Sequence, residues 1–132
     1  MQRLRSSRIL LLAAALATLP IAMTNAAQAQ QKGAEAVAID ADDIGGVVRS
    51  PKGPEAGVWV IAETRDLPTR FIRIVVTDER GRYVVPDLPA ATYDLWVRGY
   101  GLVDSFKVKA QPGKIVNLAA KIAPNARAAA QY

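Results

Sequence analysis

Turn signals recur between residues 44 and 122 at intervals too short for anything but strands, and they constrain this chain more than any other feature. Pro51-Lys52-Gly53-Pro54, Asp66 with Pro68, Asp78 with Gly81, Pro86-Asp87-Leu88-Pro89, Gly99-Tyr100-Gly101 and Gln111-Pro112-Gly113-Lys114 all break the backbone. The segments between them alternate apolar and polar residues with a period of two, and no stripe at helical spacing crosses this region. Strands are predicted over Ile44–Ser50, Gly57–Thr64, Phe71–Thr77, Tyr83–Val85, Thr92–Arg98, Leu102–Ala110 and Ile115–Ile122. The fold class that follows is all-β, a seven-stranded antiparallel sandwich.

The organising stretch is Thr77-Asp78-Glu79-Arg80-Gly81-Arg82-Tyr83. Gly81 supplies the positive φ that closes a short hairpin, and Asp78 can bond the turn backbone. Alternation then assigns faces. Val58, Val60 and Ala62 point inward against Trp59, Ile61 and Glu63, and Tyr93, Leu95 and Val97 point inward against Asp94, Trp96 and Arg98. In the third strand the polar Arg73 and Thr77 put Ile72, Ile74 and Val76 on the core side and leave Phe71 and Val75 facing out. Phe106, Val108 and Ala110 are expected inside, as are Val116, Leu118 and Ala120.

The ends of the chain read differently. Arg3, Arg5 and Arg8 precede an apolar run from Ile9 to Ala22, and Ala27-Gln28-Ala29 has the small-x-small pattern of a cleavage site. Residues 1–29 are therefore expected to be a secretory signal peptide, helical in its apolar part and cut before Gln30. The run is roughly 14 residues, short of the ~20 that a spanning helix needs, so no stable membrane span is expected after cleavage. Residues 30–43 read as a flexible linker, 44–122 as the sandwich and 123–132 as a linker or tail. The acidic Asp40-Ala41-Asp42-Asp43 lacks the spaced donors and glycine of a calcium loop. Loss of residues 1–29 removes three positive charges and no negative ones, taking the formal charge from +5 to about +2. A nearly neutral domain argues against a nucleic-acid surface. With no cysteine, this exported domain depends on its core without disulfides.

The order of residues resembles the carboxypeptidase regulatory-like domain, a transthyretin-like sandwich grouped with carbohydrate-binding folds. The matching positions are Ile44-x-Gly46-x-Val48, Gly57-Val58-x-Val60, Thr77-Asp78-x-x-Gly81-Arg82-Tyr83, Leu88-Pro89-x-x-x-Tyr93-x-Leu95-x-Val97 and Gly99-Tyr100, with the final strand after Pro112-Gly113. Where the family usually has glycine before the Thr-Tyr of the fifth strand, this chain has Ala91, so another type of turn is expected there. The resemblance implies a non-catalytic module of an exported bacterial protein, periplasmic or secreted. Such a module sits beside a catalytic or transport domain, and its partner is a protein or a downstream domain.

Catalytic and metal chemistry is not legible. The chain has no histidine and no cysteine, so it lacks an imidazole base, a thiolate and the usual zinc ligands. No enzyme activity and no cofactor are expected. The arginines at 65, 70, 73, 80 and 82 are interleaved with Asp66, Asp78 and Glu79, a pattern of mixed surface pairs. The remaining candidates are aromatic. Alternation turns Trp59, Ile61 and Trp96 outward, and with Tyr100 they form a candidate docking face. The alternative is a carbohydrate-binding face in which Asp94 and Arg98 supply polar contacts to a glycan. A third possibility is that a loop, the linker or the tail covers both tryptophans.

Overall fold

The computed structural model describes residues 37–131, so the expected signal peptide and the first part of the linker lie outside the described residues. Eleven strand segments and one short helix make up the rest. They are β1 (Ile44–Ser50), β2 (Gly53–Pro54), β3 (Trp59–Thr64), β4 (Phe71–Val76), β5 (Arg82–Val85), β6 (Tyr93–Arg98), β7 (Leu102–Val103), β8 (Val108–Ala110), β9 (Lys114–Ile115), β10 (Leu118–Ala119), β11 (Lys121–Ile122) and α1 (Ala126–Ala129). The all-β class is as expected. The seven strands are subdivided: the sixth splits into β7 and β8, the last into β9, β10 and β11, and β2 forms in an expected turn.

One sheet is built around β1, which pairs antiparallel with β5 and β2 and parallel with β9 and β10. The parallel pairs correct a purely antiparallel expectation. The second sheet runs β4-β3-β6-β8 and is antiparallel throughout, while β7 and β11 form a separate two-stranded ribbon. Both large sheets feed one apolar core. Ile44, Val48, Tyr83, Val85 and Leu118 come from the β1 sheet, and Val60, Ala62, Tyr93, Leu95 and Val97 from the other.

The Thr77–Gly81 turn forms with the expected chemistry. Asp78 accepts the backbone N–H groups of Arg80 (2.9 Å) and Arg82 (2.8 Å), and Gly81 takes φ 73°. It does not close a hairpin, however: β4 lies in one sheet and β5 in the other, so the turn carries the chain across the core edge. The hydrogen bonds from the Arg82 backbone and side chain hold the Asp78 carboxyl below the usual carboxylate range.

The corner around Pro86–Pro89 also departs from the resemblance in the expected way. Among described non-glycine residues only Asp87 has positive φ, at 52°, so Ala91 is spared the left-handed conformation. Tyr93, fully buried, closes this corner by donating its hydroxyl to the carbonyl of Pro89 at 2.8 Å. Part of the expected linker is held in place. Leu88 N–H donates to the Asp42 carbonyl (2.8 Å) and Gly113 N–H to the Asp43 carbonyl (2.7 Å).

Candidate functional site

The candidate face is the outer side of the β4-β3-β6-β8 sheet. Register across its strands builds three rows: Val76–Trp59–Arg98, Ile74–Ile61–Trp96, and Ile72–Glu63–Asp94–Lys109. The inward-facing neighbours Val60, Ala62, Leu95 and Val97 all belong to the core, which confirms the faces assigned to β3 and β6. The face assigned to β4 is reversed. Ile72, Ile74 and Val76 are exposed, whereas Phe71 and Val75 pack against the core. The sequence argument failed because Arg73 shares the inner side with Phe71. On an edge strand its guanidinium can leave the interior, and it lies over the Phe71 ring at 5.6 Å. The useful signal was Phe71 itself, whose ring meets that of Tyr93 edge-on with centroids 6.2 Å apart.

Facing outward proves different from being exposed. Trp59 is 49% exposed, but Ile61 and Trp96 retain only 4% and 8% of their accessible surface. Ile61 lies between Ile74 and Trp96 on its two neighbouring strands. Trp96 is roofed by Lys107, whose Nζ sits 4.2 Å from the ring centroid, and its indole Nε1 is buried without a hydrogen-bond partner. The expected exposed group of Trp59, Ile61 and Trp96 is thus corrected to one exposed indole, Trp59, beside the exposed aliphatic side chains of Ile72, Ile74 and Val76.

The polar candidates are already engaged. Asp94 accepts from Lys109 Nζ at 3.0 Å, and Arg98 makes a bidentate pair with Asp104 at 2.7 and 2.6 Å. Glu63, buried at the sheet centre, accepts from Arg70 Nε at 2.6 Å and faces Lys107 Nζ at 3.8 Å. Glu63, Asp94, Lys107 and Lys109, with Thr64 and Thr92, line a polar cleft of about 330 Å³. Tyr100 is fully exposed and lines a different depression, with Lys52, Ile122 and Asn125. The site therefore divides into an apolar rim on β3 and β4 and a charged lattice on β6 and β8.

Compared with models of known protein families and with curated proteins, the chain matches none. Its reading rests on the geometry. Among the described residues, no group of three or more histidine, cysteine, aspartate or glutamate side chains could hold a metal ion. Ser105 is occupied structurally: its Oγ accepts from Val97 N–H at 2.9 Å and donates to the Phe106 carbonyl at 3.1 Å. Phe106 and Val108, expected inside, are exposed. The short β8 ladder ends at Val108, and Lys121 instead lies 5.3 Å from the Phe106 ring.

Proposed function

We propose that this chain is a non-catalytic, exported interaction module, periplasmic or secreted, that docks a protein partner or a neighbouring domain through the apolar rim of its β4-β3-β6-β8 sheet. The observation that carries the reading is the contiguity of Trp59, Val76, Ile74 and Ile72, all exposed on one face of two paired strands. Exposed apolar patches of this kind mark contact surfaces. The charged rows beside them give such a surface a polar border. Grouping β7 with β8 and β9 with β10 and β11 leaves seven strands and the β2 arm, which supports a transthyretin-like sandwich of the carboxypeptidase regulatory type.

The test is capture of a binding partner from the exporting compartment by the intact chain and by Trp59→Ala, each checked for folding by circular dichroism. Loss of capture with the fold retained is the expected result. Equal capture by both proteins would remove the rim from the argument.

A second reading, glycan binding, draws support from the polar cleft bordered by Glu63 and Asp94 and from the unpartnered indole nitrogen of Trp96. It predicts that Trp96 fluorescence shifts on titration with an oligosaccharide panel in a Trp59→Phe background. No shift across the panel excludes that reading.

A further inference from the structure

The two edges of the β4-β3-β6-β8 sheet are built differently. β8 is three residues long and carries Lys109, with Lys107 just before it; short length and lysines are ordinary guards against strand addition. β4 is six residues long, has no proline or lysine, and among the described residues pairs only with β3. Its one charge, Arg73, is on the inner side, over Phe71. Beside Val76 the edge opens into a cleft of about 470 Å³ bordered by Val37, Asp78 and Val84.

Backbone direction along β4 follows from its end. Thr77 N–H donates to the Val58 carbonyl at 2.9 Å, and the Thr77 carbonyl accepts from Gly57 N–H at 3.1 Å, so Thr77 turns its amide groups toward β3. Residues two and four positions earlier do the same. Ile72, Ile74 and Val76 therefore point their N–H and C=O groups at the open edge as well as their side chains at the outer face.

We infer that β4 pairs antiparallel with β4 of a second copy of this chain, about a two-fold axis at Ile74, joining two four-stranded sheets into one of eight. The inference rests on reading this face as a docking surface and names its occupant. In that register Ile74 faces Ile74, and Ile72 faces Val76 twice, so all three edge residues of each copy meet an apolar partner through paired hydrogen bonds. Just beyond the strand ends, Arg70 of one copy comes level with Asp78 of the other at both ends, which matches opposite charges. The neighbouring registers are worse. Centring on Arg73 sets two arginines against each other, and centring on Val75 sets Ile72 against the Asp78 carboxylate. An isologous strand pair of this kind closes with two copies.

The absence of native cysteine makes the register directly testable. Opposite residues in a hydrogen-bonded antiparallel pair have Cα atoms about 5.5 Å apart, within disulfide range. The full chain carrying Ile74→Cys should form a disulfide-linked dimer on mild oxidation. Ile72→Cys and Val76→Cys should each remain largely uncrosslinked alone and crosslink when mixed. Sedimentation velocity at about 200 µM, suited to a small interface of the transient class, should show a dimer for the unmodified chain. Ile74→Pro should abolish that dimer without unfolding, because it removes an N–H that β3 does not use. A wild-type chain monomeric at that concentration, or crosslinking as efficient through Ile72→Cys alone as through Ile74→Cys, overturns the proposal. A monomer whose partner capture still depends on Trp59 would defeat the strand pairing and leave the docking face standing. A dimer lost in Trp59→Ala and kept in Ile74→Pro would place the contact face to face and also overturn it.

Discussion

The outer faces of the two large sheets are finished in opposite ways. Over the β1 sheet the chain lays down its own cover. A Cβ built on Gly45 would fall 2.5 Å from Ile39 Cγ2 and 3.2 Å from Val37 Cγ1, so residues 37–39 pack directly on that strand, and the outward Val47 is buried. Over the other sheet no described segment plays this part, and Ile74 remains 53% exposed. A strap needs a place to lie. Gly45 provides one by having no side chain, whereas β3 and β4 present Trp59, Ile72, Ile74 and Val76. A surface that the described residues leave apolar and uncovered is one on which another segment or molecule can dock.

The contrast can be broken or sharpened by substitution. The largest effect is expected at Trp96, which sits on the open sheet yet is buried. Trp96→Ala should cost about 3 kcal/mol, because the indole and its Lys107 roof are lost together. Urea unfolding measures this, and a cost under 1 kcal/mol would mean that the open face is open throughout. Gly45→Leu should cost about 2 kcal/mol by overpacking against Ile39 and Val37, and it should make residues 37–43 newly sensitive to protease. If neither changes, the strap is not a cover and the comparison fails.

A smaller effect belongs to Tyr83, in the β1 sheet. Its hydroxyl donates to the Val116 carbonyl at 2.6 Å, and burial raises its pKa well above the ordinary value of 10.0. A raised folded pKa means that the contribution is complete below about pH 10 and declines as pH rises beyond it. Tyr83→Phe should cost about 1 kcal/mol at pH 7 and flatten the alkaline loss seen in melts of the parent chain. An alkaline profile identical in both proteins would assign the loss to other groups. The smallest effect is expected on the open rim. Ile74→Ser, melted at dilute concentration, should change stability by no more than about 0.5 kcal/mol. A loss above 2 kcal/mol would show that the rim is covered after all.

Much of the fold was legible because it depends on local rules. β1 matches its predicted span of Ile44–Ser50, and the inward faces of β3 and β6 follow from strict alternation. The Asp78 turn forms from its own residues, but the sequence could not show that it joins two sheets, since the partners of β4 and β5 are distant in the chain. The candidate site was less legible for a related reason. Alternation says which side of a sheet a residue takes, and burial then depends on what stands beside it: Trp59 lies next to Val76 at the edge, while Trp96 lies under Lys107. Arg73 misled the reading of β4 because an arginine at an edge can escape from an inner face.

By itself, the sequence determined that turns come too often for helices, that apolar residues recur at every second position, and that no imidazole or thiol is present. Tertiary structure alone decided which strands became edges, where residues 37–39 came to rest, and which outward side chains stayed in contact with water. The physical reason is range: period and turn chemistry act over a few neighbouring residues, whereas edges and covers are made by segments that meet only when the chain has folded.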